Sequence, residues 1–167
     1  VMPLVTFFDS NGMDFFAAER ITSHGGSIRC MVQFNGGPHK KNGSVQALID
    51  FECKLRINLS QTWVGYAQKI NTLRNKIINL LTRLKQEGKT IAGFGAPAKA
   101  TTLMYHFGIG PEIIDFISDD APLKQGLYSP GLHIPVLSSK AIYERKPDYV
   151  IILAWNFAAQ IIENHKG

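Results

Sequence analysis

Apolar residues change their spacing repeatedly along the 167-residue chain, and each change predicts a different kind of element. Pro3 to Asn11 reads as a short helix that Gly12 stops. Met13 to Ile21 and Ser27 to Phe34 read as strands. In the second run Ile28, Cys30, Val32 and Phe34 alternate with Arg29, Met31 and Gln33, the period-2 pattern of a strand buried on one face. Ser23-His24-Gly25-Gly26 supplies the turn between them. One helix and one hairpin cannot bury their own apolar face, so residues 1–42 are expected to pack as the tail of a larger domain.

Asn35 to Gly43, with three glycines, a proline and two lysines, marks a loop and a boundary. Residues 43–88 then read as two linking helices. Val45, Leu48, Ile49 and Leu55 sketch the first. Trp63, Tyr66, Ala67, Ile70, Leu73, Ile77, Leu80, Leu81 and Leu84 mark a longer second one, with Ser60 as its N-cap and Gly88 as its stop. This stripe is expected to be core packing.

From Thr90 the pattern becomes short apolar runs separated by helical stretches. The runs are 90–95, 113–118, 134–137 and 149–155, and the helices 98–107, 139–145 and 157–165. Strands alternating with helices predict a parallel sheet covered on both faces. The expected fold class is therefore α/β, a small Rossmann-like domain over 89–167 preceded by a helix, an antiparallel hairpin and a long helix. Ligands of such sheets sit at the carboxyl ends of the strands, which directs attention to Gly93–Lys99, Asp119–His133 and Trp155–Phe157.

Composition narrows the class of protein. Of the residues, 45% are hydrophobic and 19% charged, as in a folded globular chain. No apolar run approaches the roughly 20 residues of a membrane span, and the first residues lack the pattern of a signal peptide, so a cytoplasmic, membrane-free protein is expected. Cys30 and Cys53 belong to no ligand cluster, which argues against a metal site and against a disulfide framework. The net charge of +5 and a pI near 9.3 favour an anionic partner. No basic and aromatic array points to nucleic acid.

Gly93-Phe94-Gly95-Ala96-Pro97-Ala98-Lys99 follows a strand and opens a helix, in outline a phosphate cradle with Lys99 adding a full charge. The same letters satisfy G-x-G-x-x-A, and Asp119 stands about where an acidic residue would hold a ribose, so an NAD(P)-binding oxidoreductase fragment is the main alternative. A non-catalytic binding module with a purely structural glycine turn is another. The stretch from Asp119 to Pro135 is long for a connection that usually takes about 2–6 residues, and it offers Lys124, Gln125, Tyr128 and His133 to a ligand. Asn156 has donor and acceptor groups suited to a sugar or base, and Trp155 precedes it at the same rim. His24, in a glycine-flanked turn, could exchange a proton near neutral pH.

Three ordered blocks, GKTIAGFGAPAKATTL, DFISDDAPLKQGLYSPGLHIPVLS and KPDYVIILAWN, resemble the C-terminal domain of the S-adenosylmethionine-dependent sugar C-methyltransferases of deoxysugar biosynthesis. ERITSHGGSIR is similar to the segment that closes the methyltransferase domain in that family. The resemblance implies a fragment without the zinc-binding module and without most of the domain that holds S-adenosylmethionine, and so inactive alone. It also implies a nucleotide diphosphate sugar, of dTDP type, as partner. Gly93, Gly95, Ala96 and Lys99 would serve the diphosphate, with Asp119, Lys124, Gln125, His133 and Asn156 for the remainder. His24 would be the base that removes a proton beside a keto group. Ala100, Thr101, Asp120, Ala121 and Leu132 depart from the family pattern as it is expected here, which implies a different sugar or nucleotide rather than a different activity.

Overall fold

In the computed structural model, which describes residues 1–166, the chain divides into two compact units, Val1–Gln68 and Lys69–Gly167. Gly167, the last residue of the expected third segment, lies outside the described residues.

The first unit holds α1 (Met2–Ser10), β1 (Met13–Ile21), β2 (Ser27–Phe34), α2 (Ser44–Lys54) and the start of α3 (Ser60–Gln86). β1 and β2 pair antiparallel from Met13 opposite Phe34 to Ile21 opposite Ser27, with a bulge between Phe15 and Ala17. Phe15 and Ala18 are buried with Val1 under Val5, Phe8, Val45, Leu48 and Ile49, so α1 and α2 cover the hairpin with their apolar stripes. Ser44 Oγ accepts the Ala18 amide at 2.9 Å and pins the start of α2 to β1. On β2 the alternation left Ile28, Val32 and Phe34 exposed, Phe34 by 75%.

The second unit contains the rest of α3, β3 (Ile91–Phe94), α4 (Ala98–Phe107), β4 (Phe116–Ser118), β5 (Val136–Leu137), α5 (Lys140–Arg145), β6 (Tyr149–Ile152) and α6 (Ala158–Asn164). The strands form one parallel sheet in the order β5-β4-β3-β6. From β3 the chain moves through α4 to β4 and β5, then returns to the other side of β3, so the order reverses at β3. Side chains alternate across the sheet. Ile91 and Ile117 join Leu81, Leu84, Ala100 and Met104 on the α3 and α4 face. Ala92 and Phe116 join Ala141 on the α5 face. Ile91, Ile114, Ile117 and Ile134 have no exposed surface; each such burial stabilises the fold by about 1.5–3 kcal/mol.

The expected α/β class is the observed one, with shorter strands. Ile113 and Ile114 are buried in a turn closed by their amides on the Gly110 carbonyl, because Gly110-Pro111 breaks any strand there. Pro135 delays β5 to Val136, and β6 ends at Ile152, after which the Leu153 and Ala154 amides both donate to the Phe94 carbonyl. The long apolar stripe of α3 is fully buried only near its end, with Ile70, Ile77 and Ile78 partly buried against the same core. Leu81 and Leu84 are buried, whereas Trp63, Tyr66, Leu73 and Leu80 are at least 45% exposed. A helix of 27 residues is about 40 Å long, whereas strands of 2 to 4 residues span about 13 Å at most. The sheet is too short to cover the whole stripe, and residues from Ile70 onward supply the contacts with its core.

Polar staples fix the strand starts. Asp148 accepts the Thr90 amide and hydroxyl at 2.8 Å each, and Lys89 donates to it at 3.3 Å, tying the beginning of β3 to that of β6. The Thr90 amide, then its hydroxyl and Lys89, lower the Asp148 carboxyl to about 2. A carboxyl lowered on folding stabilises above its unfolded value of about 4, and that contribution is lost as pH falls through about 2. We expect Asp148→Ala to lower the thermal midpoint and to flatten the stability profile between those pH values. An acid limb identical to wild type would show that the staple is not stabilising.

Candidate functional site

The carboxyl end of β3 is where the second unit concentrates polar groups. Gly95 leaves the strand with φ +86°, a conformation that L side chains rarely adopt, and its amide donates to the Ser118 carbonyl at 2.6 Å. A Cβ at Gly95 would lie 2.6 Å from Ala154 Cβ, and one at Gly93 would lie 2.9 Å from Leu153 Cδ1. Gly95 is therefore required by its backbone conformation and by the segment after β6, whereas a side chain at Gly93 would need the end of the Leu153 side chain to move. Pro97 follows at the N-cap of α4, where its missing N–H leaves nothing unsatisfied.

On the β4 side of this turn stands Asp119, 7% exposed. Its Oδ2 accepts the Ala96 amide at 2.6 Å and Lys124 Nζ at 3.0 Å, and its Oδ1 accepts the Ala121 amide at 2.8 Å. Gln125 Nε2 donates to its main-chain carbonyl at 3.0 Å. Burial alone would raise this carboxyl, and the bonds from Ala96, Ala121 and Lys124 outweigh burial, so the group titrates below the ordinary carboxylate value.

On the β6 side, Lys99 rises from the first turn of α4, and its Nζ lies 4.3 Å from the centre of the Trp155 ring, a cation–π contact. Trp155 and Asn156 belong to the tight turn Trp155–Phe157 between β6 and α6. Trp155 is 45% exposed, and Asn156 is partly buried. Lys99, Trp155 and Asn156 thus gather at the point where the strand order reverses, the crevice in which open α/β sheets bind ligands.

The segment from Asp119 to Pro135 is ordered as a small hairpin. Gly126 N donates to Val136 O, Val136 N to Leu127 O and Ser129 N to Ile134 O, each at 2.8 Å, and Tyr128 bridges Pro135. Ser129 is buried and its Oγ accepts the Ile134 amide at 3.0 Å. His133 is exposed with φ 54°. Between this hairpin and α4 lies a cavity of about 230 Å³, walled by Pro97, Ala100, Met104, Leu127 and Tyr128 among others, with Lys124 at its edge. Thr101, Met104, Leu127 and Ser129 were not among the expected site residues, although Ala100 and Thr101 stand out as departures from the family pattern.

The structure therefore brings Gly93, Gly95, Ala96, Lys99, Asp119, Lys124, Gln125 and Asn156 to one rim, with His133 on the hairpin beyond. His24 belongs to the first unit. It occupies the turn Ser23–Gly25 with φ 54° and ψ 23°, exposed, beside an open hollow of about 800 Å³ bordered by Arg20, Ile21, Thr22, Gly25, Gly26, Ser27 and Ile28. Among the described residues no group of three or more His, Cys, Asp or Glu side chains could hold a metal ion, and no helix is long and apolar enough to cross a membrane.

Residues 22–167 match the family described as the C-methyltransferase C-terminal domain. The chain is also 34% identical over 163 residues to C-methyltransferase NovU of Streptomyces niveus, an alignment covering 98% of this chain and 39% of that protein. It thus spans about two-fifths of the length of this relative. With a family match that runs from the His24 turn through all four strands of the parallel sheet, the chain belongs to the C-methyltransferase C-terminal domain family.

Proposed function

We propose that this chain is the substrate-binding part of a methyltransferase that moves a methyl group from S-adenosylmethionine to a carbon of a nucleotide-linked keto-deoxysugar. The observation that carries the reading is the trio Lys99, Trp155 and Asn156 at the strand-order reversal: a cation for phosphate, a flat apolar face, and an amide that can read hydroxyls or a base edge. Gly93 and Gly95 keep the adjoining turn thin. Lys124, Gln125 and His133, on the hairpin side, are our candidates for the rest of the ligand.

In this reading the methyl donor is held by the portion of the full-length enzyme outside this chain. It supplies an electrophilic methyl group, and the chain's own residues bind and orient the acceptor. Removal of the proton beside the keto group needs a neutral base, and His24 is our proposed base. Deuterium exchange from solvent into that carbon, followed in the full-length enzyme, tests the role; exchange that survives unchanged in His24→Gln would remove His24 from it.

Parallel calorimetric titrations with dTDP, UDP and NAD test the substrate class. Nucleotide diphosphate binding without NAD binding upholds the reading, and NAD binding alone replaces it with the dinucleotide alternative. The hydrogen bonds that already occupy both oxygens of Asp119 count against that alternative, since a ribose would need the same carboxylate. Lys99→Ala is expected to weaken dTDP binding by about 1–3 kcal/mol, the range for losing a charge-assisted hydrogen bond. An unchanged Kd would take the diphosphate away from Lys99.

A further inference from the structure

A carboxylate as enclosed as Asp119 is costly to desolvate unless every lone pair that loses water gains a donor. Here the donors come from both sides of a gap. The Ala96 amide belongs to the turn after β3, while the Ala121 amide and Lys124 belong to the segment after β4. One side chain therefore fastens the glycine turn to the hairpin. The side-chain amide of Gln125 donates to the Asp119 carbonyl and holds the segment after β4 around this carboxylate, without itself reaching the glycine turn.

The arrangement also decides where charge is left over. Ala96 carries the first amide after Gly95, the donor that an oxyanion approaching this turn would seek. It already donates to a carboxylate at 2.6 Å. Lys124 is neutralised by the same group, at 3.0 Å. Lys99 differs: among the described residues it makes no ion pair, and its ammonium rests on the Trp155 ring. A ring face stabilises a cation without cancelling its charge. The rim is thus divided by the turn into a compensated side next to β4 and a positive side next to β6.

We propose that Asp119 is a positioning residue that stands in for an anion at the turn between β3 and α4, so that a ligand diphosphate is taken by Lys99 on the β6 side and not by the turn amides or Lys124. The inference rests on the reading of this rim as a sugar-nucleotide site. It makes Asp119 part of the frame that sets the orientation of the nucleotide, with the diphosphate displaced toward Trp155 and Asn156 and the uncharged part of the ligand left to the hairpin side.

Calorimetry with inorganic pyrophosphate and with dTDP, on the wild-type chain and on Asp119→Asn, separates the two ideas. Removing the resident charge should raise pyrophosphate affinity by at least about threefold, because a like charge near the turn is gone and Lys124 is released. A pyrophosphate affinity that is unchanged or lower in Asp119→Asn overturns the inference, whatever dTDP does. Wild-type silence toward dTDP together with a gain of pyrophosphate binding in Asp119→Asn sinks the sugar-nucleotide reading and leaves the role of Asp119 standing. Should Asp119→Asn fail to fold, the wild-type chain with ¹³C-methylated lysines decides, its signals assigned through Lys99→Arg and Lys124→Arg. Pyrophosphate is expected to move the Lys99 signal and leave that of Lys124 in place; equal movement of both, or no response of Lys99, overturns the proposal.

Discussion

Gly95→Ala is expected to destabilise the second unit by about 3 kcal/mol, from two separate costs. Its φ of +86° is one that an L side chain enters at about 1–2 kcal/mol. The new methyl would also stand 2.6 Å from Ala154 Cβ and 3.3 Å from the Ala154 amide nitrogen. The obstacle is a chain segment held to Phe94 by two hydrogen bonds, so it cannot simply swing away. Gly108→Ala is the matching control: φ is +70°, yet nothing lies within 4 Å of the added carbon. It should show the conformational cost alone, about 1–2 kcal/mol. Urea unfolding of both variants measures the difference. Equal destabilisation would mean that the close approach of β6 to the turn is not a constraint on folding.

Removing the Asp119 side chain should cost about 2–3 kcal/mol at neutral pH, roughly 1 kcal/mol for each main-chain donor left without a partner and less for Lys124, which is partly exposed and can turn to water. The pH dependence gives an independent check. Because the folded carboxyl titrates below its unfolded value of about 4, its contribution is complete above that pH and disappears as pH falls through the folded value. Asp119→Ala should therefore approach wild-type stability in acid and fall below it near neutrality. A constant gap at every pH would assign the loss to packing, and no loss at pH 7 would mean that the tie between the turn and the hairpin is dispensable.

Much of the architecture was legible from local pattern, and the reason differs by element. The hairpin of β1 and β2 matched its expected ends because alternation and a glycine turn are both local signals. α4 matched residue for residue at 98–107, bounded by Pro97 and by Gly108 in the left-handed conformation. The apolar runs near 113 and 134 were correctly apolar and buried, but burial does not specify a strand when Gly110-Pro111 and Pro135 interrupt the hydrogen-bond ladder. In α3 the apolar stripe is only partly used, with Ile70, Ile77, Ile78, Leu81 and Leu84 on the core and Trp63, Tyr66, Leu73 and Leu80 exposed, since periodicity records which face is apolar and not what lies against it.

For the candidate site, the sequence by itself determined the residue types and the strand ends at which they stand: one glycine in β3 with a second glycine and a lysine after it, an aspartate after β4, and a tryptophan and an asparagine after β6. Periodicity is enough for that, because parallel strands in one sheet present their carboxyl ends along one rim. Only the tertiary structure decided how these groups divide their charge. Asp119 and Lys124 are five residues apart, and Lys99 and Trp155 far more; which cation meets the carboxylate and which meets the ring depends on strand order and on the hairpin folding back over β5. Hydrogen bonds and cation–π contacts act over a few ångströms, a distance that linear spacing does not encode and that packing alone sets.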